Sequence, residues 1–513
     1  MVVVTSDLTG GTGQLPVVDP PVLDLRVVDL PVVDLRVLDP ASGRLSAHER
    51  LALLLDAHSF VGDELVGGLS GGLSGGLSGV LTGSGLVHGR PVCVLATDPV
   101  GAGDSVGAAD PVGEADPVGA AGVRTAERVL RILETAYRTR VPLVWLIDAD
   151  GLWLADQVAV VLGRRGAARL ARAQVLVNRS IPQVGAVFGR TAAGGADLPA
   201  GCDIAVRVDG AGQVDGAGRV DGLPLVSTEQ QALALLRGSL GYLPDSFEQD
   251  PPAAEPVAAE AVDLRGLVPA SGPPVDLRRY LSGLVDAGSF LAVPPTGGLI
   301  VGFARLGGQV IGVLAGPVEI GPVGATARFL QTCEAFNVPV LCLTTTTTAA
   351  TTAATTAATA TTAEAPVRPL PEYGSSALTV PTIWVIVRGA EDDRLPNGID
   401  LGGAPDVCLV ASTAGLGGLG GLGGLAVLGA AAAVDAAYAR RIASLSPEER
   451  ALFGDGLQFD LDRDLDLVRL ARGPVVDAVV APQELRAELI RRYAGLAGKD
   501  RSFTRRDRAA VPV

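Results

Sequence analysis

Two stretches about 230 positions apart carry the same pattern of apolar and polar positions. The first, Arg44–Phe60, reads RLSAHERLALLLDAHSF, and the second, Val275–Phe290, reads VDLRRYLSGLVDAGSF. In both, Leu and Val recur at the spacing of one helical face, and an Asp, a two-residue step and Ser-Phe then mark a turn. The likeness continues beyond the turn. Thr82–Leu95 (TGSGLVHGRPVCVL) and Val301–Leu314 (VGFARLGGQVIGVL) each predict a strand, a Gly-containing hairpin turn and a second strand. An amphipathic helix is predicted next, around Ala126–Tyr137 and Ala325–Phe336. A buried strand opened by Pro comes after it, Pro142–Asp148 and Pro339–Thr345. Helices alternating with near-continuous apolar strands predict a layered α/β architecture. The chain reads as two tandem α/β domains of one type, related by internal duplication.

Low-complexity segments interrupt the pattern. Residues 1–40 are repetitive: PVLDLRVVDL is nearly repeated by PVVDLRVLDP, and the regular Pro limits this extension as a strand. GGLSGGLSGGLSG (67–79), DPVGAGDSVGAADPVGEADPVGAAG (98–122), VDGAGQVDGAGRVDG (208–222), a Thr/Ala tract (344–365) and GLGGLGGLGGL (415–425) fall between predicted elements or at their ends. Added loop length costs little entropy at such places. PPAAEPVAAEAV at 251–262 reads as a linker, so the expected division is an extension (1–40), two domains (41–250 and 263–500) and a basic tail (501–513). Gly415–Val434 is uncharged and long, but Gly and Ala contribute little transfer energy. A buried or loop segment leading into a helix around Ala430–Ala443 is expected there instead of a membrane span.

Composition narrows the function classes. A chain of 513 residues is expected to hold two or three domains. A net charge of −15 excludes a non-specific nucleic-acid binder, which needs a basic face. The five Cys (93, 202, 333, 342 and 408) show no CxxC pairing and sit mostly in apolar runs, as buried reduced thiols of a cytoplasmic protein do. No basic stretch followed by an apolar one marks a signal peptide. Three His (48, 58 and 88), scattered through the first half, offer neither a metal site nor a Ser-His-Asp triad. The surrounding repeat explains Gly101-Ala-Gly103 without a phosphate loop, and DLDRDLD at 460–466 reads as a solvated face.

In this order the stretches resemble the carboxyltransferase (beta) subunit of biotin-dependent acyl-CoA carboxylases, the propionyl-CoA and methylmalonyl-CoA group. Arg44–Phe60 resembles the family opening KLTARERIxLLLDxGSF, and Gly89-Arg-Pro-Val resembles its NGRPV hairpin. Gly238–Pro252 (GSLGYLPDSFEQDPP) resembles LLSYLPxNxxxxPP, and Gly321–Pro339, Leu428–Arg441 and Val476–Arg486 resemble later family motifs. The likeness runs over about residues 44–492. It implies a pair of crotonase-like ββα superhelical domains. It also implies transfer of a carboxyl group from carboxybiotin to the α-carbon of an acyl-CoA, without a metal, at a site formed between subunits. Two oxyanion holes of backbone N–H groups, one per domain, would stabilise the developing negative charge. Small residues are needed there because only they let the backbone approach closely.

Carried over residue by residue, the resemblance names the candidate site. Gly189–Asp203 (GRTAAGGADLPAGCD) resembles GPCAGGAVYSPALTD and makes Ala193, Gly194 and Gly195 the candidate oxyanion hole. Ile147–Asp156 (IDADGLWLAD) resembles NDSGGARIQEG, leaving Asp148 and Gly151 as substrate-binding candidates, with Trp153 in place of the Arg. In the second domain VDVPGFxxGxxQE gives way to the Thr/Ala tract, with Thr345 where the Asp would fall. RKAYGGA reads Arg388-Gly-Ala-Glu-Asp392-Asp393-Arg394. Asp392 and Asp393 thus stand where the family places glycines, and like charge beside a developing oxyanion repels it. The expectation is a carboxyltransferase-like subunit, catalytically impaired and structural or regulatory. The alternatives are an active, divergent acyl-CoA carboxyltransferase and a crotonase-type hydratase or hydrolase. The chain would bind no cofactor directly; biotin would sit on a partner's carrier domain, with acyl-CoA as substrate if the chain is active. Expected partners are a carboxyltransferase paralogue or copies of itself in a hexamer-like oligomer, and a biotin carboxylase or biotin carrier subunit. Nucleic acid and membrane are not expected.

Overall fold

In a computed structural model, which describes residues 26–27, 44–63, 80–97, 119–148, 172–174, 177–191, 201–209, 212–213, 223–268, 275–293, 299–316, 323–345, 378–388, 405–412 and 476–499, the apolar pattern becomes two sheets. The first sheet runs in the order β1 (Arg26–Val27), β2 (Val61–Gly62), β3 (Val80–Val87), β4 (Arg90–Thr97), β5 (Leu143–Ile147), β6 (Gln183–Val187), β8 (Ile204–Val208) and β10 (Leu225–Val226). A separate pair joins β7 (Arg190–Thr191) to β9 (Gly212–Gln213). The second sheet runs β11 (Leu291–Ala292), β12 (Ile300–Leu306), β13 (Gln309–Ala315), β14 (Val340–Thr345), β15 (Thr382–Arg388), β16 (Val407–Ser412) and β17 (Ala478–Val480).

Both sheets take one path. An antiparallel hairpin, β3–β4 or β12–β13, is extended on one side by parallel strands. The registers correspond: Cys93 opposes Leu143 as Gly312 opposes Val340, and Leu143 opposes Gln183 as Val340 opposes Thr382. β5, β6, β14 and β16 are buried along their whole length, and these central parallel strands read as near-continuous apolar runs. Sheets and duplication together give two α/β halves of one plan, as the internal repeat predicts.

Each half has an opening, a middle and a closing helix. Ser46 caps the first opening helix, Ala47–Leu54, in a capping box: Glu49 N donates to Ser46 Oγ at 3.3 Å and Ser46 N to the Glu49 carboxylate at 2.7 Å. Asp276 caps the second, Leu277–Ser282, accepting from Arg278 N and Arg279 N. The middle helices, Gly119–Thr139 and Val323–Ala335, lead into β5 and β14. The closing helices are Glu229–Leu240 and Leu485–Leu496. The first middle helix begins seven residues before the expected Ala126, because the Gly/Ala end of the repeat is helical. In the repetitive extension, Arg26–Val27 pairs with Gly62 and Val61 as an edge strand. The segment 415–434 and the helix expected around 430–443 lie outside the described residues.

The shared Asp-x-x-Ser-Phe turn works identically in both halves. Asp56 accepts from His88 N (3.2 Å) and Gly89 N (2.7 Å) of the β3–β4 turn and pairs with Arg237 of the closing helix (2.5 Å). Asp286 accepts from Gly307 N and Gly308 N (2.8 Å each) of the β12–β13 turn and pairs with Arg486 (2.7 Å). Ser59 Oγ–H and Ser289 Oγ–H donate to the carbonyls of Asp56 and Asp286, and the two oxygens accept from Leu86 N and Arg305 N. The turns need the left-handed region at 88–89 and 307–308, which explains their glycines. Burial works to raise both carboxyls, but the donated N–H groups and the Arg partner hold them below the ordinary aspartate value.

The halves share one core. Leu51, Leu236 and Leu240 of the first half pack in the same cluster as Phe303, Phe329 and Phe336 of the second. Tyr242 stacks on Phe303 at 5.9 Å, and its hydroxyl donates to the Ser289 carbonyl. Arg305 crosses back over the Tyr242 ring and donates to the carbonyls of Gly241 (3.1 Å) and Pro252 (2.6 Å). All five Cys are buried and form no disulfide, and burial pushes the Cys93 and Cys342 thiols up to about 12. Among the described residues no helix is long and apolar enough to cross a membrane.

Candidate functional site

In parallel sheets the loops that meet ligands leave the C-terminal ends of the strands. In the first half these are Thr97 at the end of β4, Asp148 just after β5, and Phe188–Gly189 after β6. Charged side chains collect there. Arg50 of the opening helix is fully buried, with Nη2 2.6 Å from Asp148 Oδ2 and Nε 2.8 Å from Glu229 Oε2. Its Nη1 reaches the Thr97 carbonyl at 3.5 Å, and its Cζ lies 4.2 Å from the centroid of the Phe188 ring. The second Asp148 oxygen pairs with Arg44, and Asp148 N donates to Thr97 Oγ1 at 2.6 Å. Two guanidiniums thus balance two carboxylates. Arg50, Asp148 and Glu229 are buried and Arg44 is partly exposed; buried charges survive only when matched in this way, and removing one strands another.

This cluster fixes the roots of two loops. Asp148 comes directly after β5 and starts the segment that carries Gly151. Gly189 lies so close to Arg44 and Asp148 that a Cβ there would fall on their polar atoms; only glycine admits them. Gly189 begins the stretch that carries Ala193, Gly194 and Gly195. The far end of that stretch is set by Asp203, whose Oδ2 accepts from Gln183 N at 2.8 Å and whose N donates to the Gln183 carbonyl at 2.9 Å. Burial raises the Asp203 carboxyl to about 7 against the pull of the Gln183 N–H and of Arg179 and Arg328.

Of the residues singled out from the sequence, the structure places Asp148. Its carboxylate is buried and faces Arg44 and Arg50. Ala193, Gly194, Gly195, Gly151, Asp392 and Asp393 lie outside the described residues. The sequence reading did not single out Arg50, Glu229 or Asp203. One signal was available for Arg50: it shares the helical spacing of Ala47, Leu51 and Leu54, and a charge on a buried face demands a partner. Along this edge Arg50, Asp148 and Glu229 are buried, with Arg50 bridging the two carboxylates and the more exposed Arg44 completing the cluster.

The second half carries different residues at the corresponding places. Tyr280 stands on its opening helix, Thr345 at the end of β14 and Gly316 after β13. Tyr280 is fully buried, and its hydroxyl has no partner among the described residues. No ion cluster corresponds to that of the first half among the described residues.

The Carboxyl transferase domain family matches residues 39–220 and 224–511, nearly the whole chain. The chain belongs to that family. It is 32% identical over 515 residues to an uncharacterized carboxylase, YngE, of Bacillus subtilis, spanning 92% of this chain and 94% of that one. It is 27% identical over 533 residues to the propionyl-CoA carboxylase beta chain of Saccharopolyspora erythraea, with 92% and 91% covered. Among solved structures, transcarboxylase 12S, determined as a hexamer with methylmalonyl-coenzyme A bound, shares the fold with a TM-score of 0.66 and 19% identity. That match covers 92% of this chain and 93% of the other. The carboxyltransferase fold therefore accounts for both halves, and the buried ion cluster lies at the root of the stretch that begins at Gly189.

Proposed function

We propose that this carboxyltransferase-family chain is a subunit of an acyl-CoA carboxylase whose own carboxyl transfer is impaired, so that its main part is structural or regulatory. The reading rests on one contrast. In the first half, the loop that carries Ala193, Gly194 and Gly195 is rooted at both ends by buried residues, Gly189 and Asp203. In the second half, Asp392 and Asp393 stand where the family places the glycines of the other oxyanion loop. The backbone N–H groups of Ala193–Gly195 would hold the oxygen on which negative charge develops, with Asp148 and Gly151 shaping the neighbouring loop. Loss of one such donor costs ~10²–10³ in rate, and two carboxylates beside the charge cost more. Biotin on a partner's carrier domain supplies the carboxyl group. The partners are then an intact paralogue or copies of this chain in a hexamer-like ring, together with a biotin carboxylase and carrier subunit in the cytoplasm. The expected units are 41–250 and 263–500, joined by 251–262.

The second reading is an active, divergent acyl-CoA carboxyltransferase. The Arg44–Arg50–Asp148–Glu229 cluster favours it, because so many buried charges beneath the first loop suit a loop still in use. The test is reconstitution with a biotin carboxylase and a biotin carrier protein, tracing labelled bicarbonate into propionyl-CoA and acetyl-CoA. Product at background level is the expected result. Turnover that vanishes in Gly194→Asp would establish the second reading.

A further inference from the structure

Asp203 and Asp406 are counterparts, each one residue ahead of a parallel strand and each accepting from the N–H of its neighbour, Gln183 or Thr382, at 2.8 Å. Their cations differ in origin. Asp406 pairs with Lys499 of its own half at 2.8 Å. The charges of Arg179 of its own half and of Arg328 from the middle helix of the other pull the Asp203 carboxyl down against its burial, and Cys202 precedes it in the chain. The same helix brings Thr332 Oγ1 to 3.3 Å from the Asp203 carbonyl, its one proton shared with the Arg328 carbonyl at 2.9 Å, and its Gln331 accepts a hydrogen bond from Arg179. Residues 328, 331 and 332 are three and four apart, so one helical face presents all three. Thr332 is buried to 1% exposure. The rest of this loop root is equally confined. A Cβ at Gly201 would lie 3.2 Å from the Gln174 amide, and one at Gly185 would lie 3.1 Å from Cys202 Sγ.

We infer that Arg328, Gln331 and Thr332 of the second half are positioning residues for the oxyanion loop of the first, holding its C-terminal root, Gly201–Asp203, through Asp203. The inference rests on the reading of Ala193–Gly195 as that loop. Its consequence is that the second half governs the first half's loop whether or not its own loop is functional. This gives a degraded second half a reason to be kept.

Amide hydrogen exchange on the full chain tests this without substrate, so it reads the latch independently of carboxyl transfer. In Arg328→Leu and in the milder Thr332→Val, amides of 201–208 should exchange about tenfold faster, while those of β5 and the first opening helix keep wild-type rates. Arg328→Lys, which keeps the charge, should stay within about threefold of wild type at 201–208. Unchanged exchange at 201–208 in both variants would overturn the inference. So would a rise spread evenly over the first half, which would mark general loosening.

Discussion

Where the opening helix of the first half sets Arg50 against Asp148 and Glu229, the opening helix of the second buries Tyr280, and Thr345 ends β14 where Asp148 follows β5. The sheets, registers and turn clamps around these residues are otherwise alike. The second half shows that, among the described residues, the scaffold closes without an ion cluster at this place. The cluster of the first half is therefore not a requirement of the fold, and its place at the roots of two loops gives its purpose. Charge there fixes direction, because a guanidinium between two carboxylates allows few arrangements, whereas an apolar contact allows many.

The comparison can be broken most severely at Arg50. Arg50→Leu leaves Asp148 and Glu229 facing each other in a buried site and should cost ~3–5 kcal/mol in urea unfolding. Tyr280→Phe, at the matching place, removes a hydroxyl without a described partner and should be neutral or slightly stabilising, within about 1 kcal/mol. A sharper version takes the charge out of the cluster altogether. Arg50→Tyr combined with Asp148→Thr and Glu229→Leu should recover at least ~2 kcal/mol of the Arg50→Leu loss, since an apolar replacement of a whole buried cluster is often neutral. Equal destabilisation of the triple variant and Arg50→Leu would mean that packing, and not stranded charge, sets the cost.

Proton linkage separates the acids next. Asp203 holds its proton up to about 7 in the folded chain, against 3.8 ordinarily. Between these values the folded state binds a proton that the unfolded state lacks. The stability drawn from this group is therefore full below about 3.8 and declines as pH rises through about 7. Asp203→Asn should flatten that decline in unfolding measured from pH 4 to 8. Asp56 and Asp286 run the opposite way. Held below the ordinary value, they stabilise above it, and that stability is lost as pH falls through their folded values. A smaller effect than at Arg50 is expected at these clamps, where Asp56→Ala and Asp286→Ala should each cost ~1–3 kcal/mol. Asp286 should be the costlier, because its side chain is 2% exposed against 28% for Asp56.

The sequence showed the scaffold because the scaffold is periodic. The opening helices, the hairpins and the Pro-opened strands each carry a local signature, repeated, and the repetition confirmed each reading. The start of the helix at Gly119 was hidden because the Gly/Ala repeat has no apolar period. The ion cluster was hidden for a different reason. Arg50 meets Asp148 across 98 positions and Glu229 across 179, distances over which no spacing rule operates. Asp203 could have been noticed beside Asp406 and Asp477, each one residue ahead of a strand, but only once the strands were paired. The candidate site itself was named through resemblance, and of its residues Asp148 alone has a described environment.

The most direct test of the contrast between the halves is to repair the second. Carboxyl transfer to propionyl-CoA should be measured for the wild-type chain and for Asp392→Gly/Asp393→Gly with the same biotin carboxylase and carrier. If the acid pair suppresses the second oxyanion loop, the repaired chain should transfer at least ~10-fold faster than wild type. A wild-type chain that already turns over at the ~1–10³ s⁻¹ usual for enzymes, with no gain on repair, would contradict the account.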